Sequence, residues 1–396
     1  MTTGKERILA AFGEGSPEDI PSVLNYADLA LWRGPHFWDD FAEGKPWWIK
    51  DAWDIAKLLE VEETMQRKVD MDWVWGASIC PSREWRKNHI VIPTTRAVYM
   101  RDITPGATVW QYIIEEPPPE GIHATYPNVD LSGVIKTKED VEKYVHVQKA
   151  ETLIEEGRTD WVEALVKKFG NEKFILSGID SPLEAACDFM GPMPSIKLFI
   201  KNPTLLKQLV DRTADAIIEE IKAHAKMGSD GVWAWEWYTG EMISPAQFET
   251  IGKPAIQRCI HAAQQLGLKY IFYPTGVGKD WQAGFERILD MKPDGIHLEE
   301  SKKGFDSDVA WQASVLKTRR LQDEITLFGN VDAINVVQEG TSEELEREIK
   351  RQIDVGRDEY GGRFVMDVGS PITPETSLER LIEYINLVRK HSKKSH

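Results

Sequence analysis

The chain has 396 residues, a formal net charge of −16 and 42% hydrophobic residues, a composition typical of a globular protein with a deep core. No apolar run approaches the ~20 residues that cross a bilayer, and the start of the chain is not that of a signal peptide, so we expect a cytoplasmic protein. The negative charge argues against binding to nucleic acid or to a membrane, and three widely separated cysteines do not indicate a disulfide framework.

The first 170 residues predict few regular elements. Residues 30–60 are irregular and aromatic, with Gly and Pro as breakers. The expected elements are a helix at 3–13, strands at 19–25, 71–75 and 97–100, and helices within 136–170.

From about residue 171 the pattern becomes regular, because short apolar runs alternate with amphipathic helical stretches. Strands are expected at 174–177, 231–237, 270–273, 295–299, 327–330 and 363–367. Helices are expected at 183–190, 203–227, 245–266, 279–291, 308–319 and 341–356, with a last helix that is capped by Thr376, three residues before Glu379. This order predicts an α/β fold, a single (β/α)8 TIM barrel over 1–396 with 25–160 as an N-terminal aromatic elaboration.

Tryptophan is unusually frequent, with 15 copies, nine of which precede residue 111. These side chains can pack an N-terminal layer on the barrel, or they can line a pocket for an aromatic or cationic ligand. Both interpretations can hold together.

Polar residues follow the apolar runs where the barrel strands are expected to end. Side chains two apart in a strand share a face, so the alternation pairs His297 with Glu299 and Asn330 with Asp332. The same alternation places Glu236 on one face of its strand and Trp233, Trp235 and Trp237 on the other. One of these two faces must point into the barrel. A single polar residue at a strand end is usually a helix cap or a loop anchor. Five consecutive strands with polar ends favour a site at the barrel mouth.

His297 beside a carboxylate suits a metal site or a general acid, although a histidine hydrogen bonded within the core remains an equal alternative. The chain has no Gly-x-Gly-x-x-Gly, no phosphate-binding loop, no His-Glu-x-x-His and no Gly-x-Ser-x-Gly. Nucleotide-dependent and serine-hydrolase functions therefore have no support.

Five stretches resemble the uroporphyrinogen decarboxylase-like superfamily, which includes corrinoid-dependent methyltransferases. They are 4–21, 174–191, 228–245, 328–332 and 361–374. True decarboxylases of this superfamily carry an Arg-rich N-terminal signature, which residues 20–45 lack. The resemblance therefore favours the methyltransferase branch.

That branch often holds zinc through a His-x-Cys strand end and a later Cys. The corresponding positions here are Tyr273, Thr275 and Ser370, so all three ligands are missing and activation of a thiol is in doubt. The remaining resemblance is to the methyltransferase I of O-demethylase systems, which moves a methyl group from a methoxylated aromatic compound to the cobalt(I) corrinoid (cobalamin) of a partner protein.

The resemblance implies help for a phenolate leaving group and an aromatic substrate pocket. The expected catalytic residues are Glu236, His297, Glu299, Tyr273 and Asp367, and a metal, if bound, would be held by Glu236, His297 and Glu299. The expected substrate-binding residues are Trp235, Trp237, Asn330, Asp332 and Tyr26. The expected partner is a corrinoid-binding protein, and both zinc and a homodimer are left open.

Three alternatives stay open. The same fold and partner suit a quaternary amine donor, because Trp and carboxylates form a cation cage. A decarboxylase or lyase without a corrinoid is the second alternative. A barrel that only binds an aromatic or sugar ligand is the third, although several buried charges count against it.

Overall fold

The computed structural model describes residues 2–15, 19–25, 40–76, 79–106, 111–114, 133–236, 243–275, 281–301, 307–373 and 375–393. The strands are β1 Trp73–Gly76, β2 His89–Pro93, β3 Val98–Asp102, β4 Gln111–Ile114, β5 Phe174–Asp180, β6 Gly231–Glu236, β7 Lys269–Pro274, β8 Gly295–Ile296, β9 Thr326–Phe328 and β10 Phe364–Val365. Within these ranges they form a seven-stranded parallel sheet, in the order β1-β5-β6-β7-β8-β9-β10, and a separate antiparallel sheet of β2, β3 and β4.

Helices separate the strands of the large sheet, as parallel connections require. They are α1 Gly4–Ala11, α2 Ile55–Val69, α3 Arg83–Asn88, α4 Lys138–Tyr144, α5 Ala150–Glu155, α6 Asp160–Phe169, α7 Pro182–Met190, α8 Pro192–Lys201, α9 Pro203–Met227, α10 Pro245–Gln247, α11 Lys253–Gln265, α12 Trp281–Leu289, α13 Val309–Thr318, α14 Ser342–Asp354 and α15 Leu378–Ser392. In the described part of the chain, none is long and apolar enough to span a bilayer.

The N-terminal segment closes the large sheet into a barrel. The Val23 amide donates to the Met366 carbonyl (3.0 Å), and the Met366 amide donates to the Pro21 carbonyl (2.9 Å). On the other side of the segment, the Asp72 amide donates to the Ser22 carbonyl (3.0 Å). Residues 21–23 therefore lie between β10 and β1 and take the eighth position of a (β/α)8 barrel, which confirms the predicted fold.

The N-terminal end of the barrel is closed by the residues that follow α1. The Phe12 ring lies 6.0 Å from the Phe174 ring and 6.2 Å from the Phe328 ring. The Thr326 hydroxyl donates to the Ala11 carbonyl (2.9 Å). This end is thus filled by apolar side chains.

The long helix α9 illustrates how local sequence sets the element bounds. Asn202 caps its start by accepting from the Leu205 amide, and Gly228 ends it with a φ of 94°, which glycine adopts without steric cost. Its apolar face is buried against the barrel, including Leu206, Leu209 and Val210. The helix predicted at 203–227 is confirmed.

Two predictions at helix starts had different outcomes. Thr341 and Glu344 form the expected capping box at the start of α14. The predicted start of the last helix at Thr376 was wrong by one residue, because the Ser377 hydroxyl accepts from the Arg380 amide while Thr376 is buried.

The range 25–160 contains more regular structure than the sequence indicated. The 71–75 prediction falls on β1, which pairs in parallel with β5 inside the barrel sheet. Helix α2 lies within a region expected to be irregular in part, and it packs against α6 and α15. The division of the chain into a barrel with an N-terminal elaboration stays a prediction.

Candidate active site

The register of the strands shows which side chains face the barrel interior. Trp73 and Phe328 stand on non-adjacent strands, yet their rings lie 6.2 Å apart, so both point inward. Trp73 is paired with Phe174, which therefore also faces inward. Every second residue that follows on β5 shares this inner face, namely Leu176, Gly178 and Asp180. Trp233 and Trp235 are paired with Gly178 and Asp180, and therefore also face inward.

Six rings follow one another around the barrel interior and form a closed aromatic ring layer. Successive ring centroids are separated by 5.6, 4.7, 4.7, 4.7, 5.8 and 6.2 Å. The members, in order, are Trp73, Trp75, Trp233, Tyr273, His297 and Phe328. The layer fills the barrel beneath its C-terminal mouth and forms an aromatic floor there.

The turn after β10 anchors two members of this layer. The Tyr273 hydroxyl donates to the Gly369 carbonyl (2.8 Å), and Nε2 of His297 lies 2.8 Å from the Val368 carbonyl. A carbonyl can only accept, so His297 carries its proton on Nε2 when neutral. Burial lowers the pKa of His297 to about 3, which keeps it neutral near pH 7.

Asp367 is the buried acid of this turn. Its Oδ1 accepts from the amides of Asn25 (2.6 Å) and Val368 (2.7 Å). Burial raises the pKa of Asp367 well above its usual value, although these two hydrogen bonds act in the opposite direction. Its Oδ2 lies 3.9 Å from Nε2 of His297, which is too long for a hydrogen bond.

Several buried polar atoms around the aromatic floor have no hydrogen-bond partner among the residues that the structure describes. They are Nδ2 of Asn25, Nε1 of Trp233, Nδ1 of His297 and Oδ2 of Asp367. Buried polar groups are normally paired, because an unpaired one costs about 1–3 kcal/mol. A concentration of them on the inner strands is typical of a site that binds a ligand or ordered water.

Two further carboxylates stand close to the same turn. The Ser370 hydroxyl donates to Oε2 of Glu300 (2.7 Å), and a Cβ at Gly369 would lie 2.5 Å from the Glu300 nitrogen. The turn thus packs directly against Glu300. Burial, with the charges of Glu299 and Glu300, raises the pKa of Tyr273 well above its usual value, so Tyr273 is a hydroxyl and not a phenolate.

Glu236 does not join this cluster. Because Trp233 and Trp235 face inward, alternation places Glu236 on the outer face of β6, and there it accepts from the Ser181 hydroxyl (2.5 Å). The structure therefore does not bring Glu236 together with His297 and Glu299 as metal ligands. In the described ranges, no three His, Cys, Asp or Glu side chains are grouped to hold a metal ion.

Asn330 and Asp332 lie at the predicted strand end but have structural contacts. Nδ2 of Asn330 donates to the carbonyls of Glu299 (3.2 Å) and Ser307 (2.7 Å), and so holds these two residues close together. Oδ1 of Asp332 accepts from the amides of Ile334 (3.0 Å) and Asn335 (2.7 Å) as a helix cap. Both residues line a cavity of about 200 Å³ beside Glu300.

The aromatic residues predicted to bind substrate divide into two groups. Trp235 is half-buried one layer above the aromatic floor, where its Nε1 donates to the Thr275 hydroxyl (3.1 Å). Trp237 and Tyr26 lie outside the described residues.

Asp180 was missed by the sequence analysis. It faces the barrel interior at the level of Trp235, is accessible there, and has a pKa raised by the protein that surrounds it. Its charge, added to burial, raises the pKa of Asp188 to about 7. The signal in the sequence is its position at the end of the run Phe174–Asp180, which forms β5.

Comparisons with known proteins agree with this fold. The family model for uroporphyrinogen decarboxylase (URO-D) matches residues 122–391, which is more than half of the chain. The uroporphyrinogen decarboxylase of Citrifermentans bemidjiense is 24% identical over 298 residues, covering 73% of this chain and 81% of that protein. The uroporphyrinogen decarboxylase of Geobacter sp. (strain M21) is 23% identical over 298 residues, with the same coverage of both chains.

Two solved structures share the architecture. A methyltransferase from Methanosarcina mazei superposes with a TM-score of 0.65 at 18% identity, covering 98% of this chain and 99% of that one. A B12-independent methionine synthase from Shewanella sp. W3-18-1 superposes with a TM-score of 0.50 at 12% identity, covering 94% and 98%. At such low identity these structures establish the fold alone. The family match is the stronger finding, and from it the chain belongs to the uroporphyrinogen decarboxylase (URO-D) family.

Proposed function

We propose that this protein is a methyltransferase that removes the methyl group of a methoxylated aromatic compound and passes it to the cobalt(I) corrinoid of a partner protein. The observation that carries the proposal is Asp367, a buried acid beside an aromatic floor, with one carboxyl oxygen that has no partner among the described residues. The methyltransferase from Methanosarcina mazei, which has the same fold, adds support.

The aromatic floor suits a planar arene. Trp, Tyr and Phe rings prefer stacked or edge-to-face partners, and each such pair contributes about 0.5–1.5 kcal/mol beyond the area that it buries. Trp235 stands above the floor and is only half-buried, so its ring is the described aromatic surface that an incoming arene meets first.

Asp367 supplies the acid that a phenolate leaving group needs. As the bond between the methyl carbon and the aryl oxygen breaks, its electron pair stays on the oxygen, which takes the proton from Oδ2 of Asp367. The cobalt(I) co-substrate donates the electron pair of the new cobalt–carbon bond and is formally oxidised to cobalt(III). The carboxylate left on Asp367 keeps its two backbone N–H donors, from Asn25 and Val368.

His297 holds the turn that presents Asp367. Because its pKa is low, it stays neutral, and its Nε2 proton is committed to the Val368 carbonyl. Its role is therefore to position the acid, since the contact fixes the residue that follows Asp367 in the chain.

Decarboxylation is the alternative that the named relatives suggest. The described barrel mouth carries Asp180, Glu299 and Glu300, and these carboxylates oppose a substrate with several carboxylates of its own. For this reason methyl transfer is the preferred function.

Visible absorbance of free cob(I)alamin, mixed with the purified protein and a panel of methoxyarenes, tests the proposal. Formation of methylcobalamin with a methoxyarene is the expected result. The panel includes quaternary amines and uroporphyrinogen, each with its own product assay. If methylcobalamin forms with a quaternary amine and with no methoxyarene, the substrate class is a quaternary amine. If uroporphyrinogen is decarboxylated and no methyl transfer occurs even with a corrinoid protein present, the proposal is overturned.

A further inference from the structure

The family resemblance implies a zinc site at the positions of Tyr273, Thr275 and Ser370, and the structure allows a test of whether these residues fit zinc. The chain brings them to one place: the Tyr273 hydroxyl donates to the carbonyl of Gly369, the residue before Ser370, and Thr275 lies two residues beyond Tyr273 on the same face. We call these three residues the hydroxyl cluster.

The chemistry of the hydroxyl cluster does not fit zinc. Zinc in proteins takes thiolate, imidazole or carboxylate ligands, usually four in a tetrahedron. The pKa of Tyr273 is raised by burial and by three nearby carboxyl groups, so the anionic form that could bind a metal is strongly disfavoured. Serine and threonine hydroxyls are neutral at any ordinary pH and do not replace cysteine thiolates.

Each hydroxyl of the cluster also has a hydrogen-bond partner already. Tyr273 donates to the Gly369 carbonyl, Ser370 donates to Glu300, and Thr275 accepts from Nε1 of Trp235. A metal at this place would have to break these bonds. The turn at Gly369 packs against Glu300 too closely to admit even a Cβ without a shift.

The nearest imidazole does not complete a metal site either. Nε2 of His297 is bonded to the Val368 carbonyl, which leaves only Nδ1 for a ligand. Burial raises the pKa of Asp367, whose Oδ2 lies 3.9 Å from Nε2 of His297, and so disfavours the carboxylate that a metal would need.

We propose that the hydroxyl cluster replaces the zinc site of related methyltransferases by a hydrogen-bonded network, so that this protein does not bind zinc there and does not methylate thiols. A free thiol has a pKa of about 8.5 and is mostly protonated near neutral pH, and a bound metal is one means of holding it as the thiolate. The hydroxyl cluster offers no ligand set for such a metal. The statement about thiols rests on the proposed methyl transfer, whereas the statement about zinc does not.

The decisive experiment measures zinc directly and needs no substrate. The wild-type protein and the triple variant Tyr273→His, Thr275→Cys, Ser370→Cys are dialysed against zinc, passed through a desalting column and measured by atomic emission. We expect less than about one-tenth of a zinc per wild-type chain and about one per chain of the triple variant, which carries the ligand types that zinc prefers. Cobalt(II) added to the triple variant should give thiolate-to-metal absorbance, which the wild type should lack.

A single variant, Thr94→Cys, controls for a new thiol alone, because Thr94 is exposed on a loop far along the chain from the cluster. Circular dichroism reports whether the triple variant folds. If the triple variant does not fold, the zinc content of the wild-type protein still tests whether the hydroxyl cluster binds zinc. About one zinc per wild-type chain, lost on Ser370→Ala or Tyr273→Phe, would overturn the proposal, and so would a folded triple variant without zinc. A zinc-free protein that fails to produce methylcobalamin would reject the proposed function while leaving this inference intact.

Discussion

The N-terminal end of the barrel and its C-terminal mouth use the same strands but treat polar groups differently. At the N-terminal end, Asp72 accepts from the Ser22 amide (2.7 Å) and pairs with Arg7, and the Thr326 hydroxyl donates to the Ala11 carbonyl. At the mouth, Asp367 and His297 each keep a buried atom without a partner among the described residues. The groups named at the first end are paired with one another, whereas those named at the mouth leave atoms that a ligand or ordered water can pair.

This comparison predicts that substitutions at the mouth mainly change the rate of methyl transfer, whereas substitutions at the N-terminal end mainly change the free energy of unfolding. The largest effect should come from Asp367→Asn, which removes the proposed proton donor and should lower the rate of methyl transfer to cob(I)alamin by about 10²–10⁴-fold. Asp323→Asn, the same exchange at an exposed position, should leave the rate unchanged. An Asp367→Asn protein with normal rates on a methoxyarene would exclude Asp367 as the acid.

The same variant has a pH-dependent effect on stability. The folded pKa of Asp367 is raised, so its contribution is fully present below the unfolded value near pH 4 and is lost as the pH rises toward the folded pKa. Asparagine does not titrate. As the pH rises, the free energy of unfolding of Asp367→Asn should therefore increase relative to that of the wild type. Urea denaturation at several pH values measures the difference.

At the opposite end, Phe12→Ala should lower the free energy of unfolding by about 3–5 kcal/mol, because it removes a buried ring from between two others. Met193→Ala, at a side chain that is 63% exposed, should change it by no more than about 0.5 kcal/mol. Both are measured by urea denaturation. An equally small loss for both variants would show that the N-terminal end does not contribute stability as we infer.

The fourth prediction concerns how the free energy of unfolding responds to acid. The folded pKa of His297 is about 3 and its unfolded value is near 6.5, so the wild type loses stability as the pH falls below about 6.5. Relative to His297→Gln, the wild type should lose roughly 2 kcal/mol between pH 6.5 and pH 5. The Phe12→Ala difference should stay constant over the same range, and parallel curves for wild type and His297→Gln would contradict the low pKa.

The smallest effect is expected for Trp235→Phe. This change keeps an aromatic ring above the floor but removes the hydrogen bond from Nε1 to Thr275. Stability should fall by about 0.5–1.5 kcal/mol, and the KM for a methoxyarene should change more than kcat. A loss of kcat with unchanged KM would assign Trp235 to the reaction and not to substrate binding.

The sequence was sufficient to predict most of the barrel, because apolar runs and helical periodicity alternate clearly after residue 171. It could not show that the strand predicted at 71–75 pairs with β5, which lies far along the chain, or that Ser22 and Met366 are neighbours. Closure depends on contacts between distant parts of the chain, and no local pattern reports them.

The candidate site was predictable in part for a similar reason. Tyr273, His297 and Asp367 could be proposed because each stands at the end of an apolar run, and their catalytic role stays a prediction. Glu236 was misplaced because alternation defines two faces without telling which one points inward, and the contacts of Trp233 decide that question. Asn330 and Asp332 could be placed at a strand end from the sequence, but only the structure reveals their contacts with the Ser307 carbonyl and the Ile334 amide.

The pairing of residues 21–23 with both β10 and β1 has a consequence for the order of folding. The barrel cannot close until Met366 has left the ribosome, since that residue provides both hydrogen bonds on the β10 side. Until then, residues 21–23 have no partner on the β10 side, and the sheet keeps open edges. Contacts between residues that are far apart in the sequence also form slowly. The nascent chain is therefore exposed to aggregation for most of its synthesis, and a shortened N-terminus would leave that edge open in the finished protein.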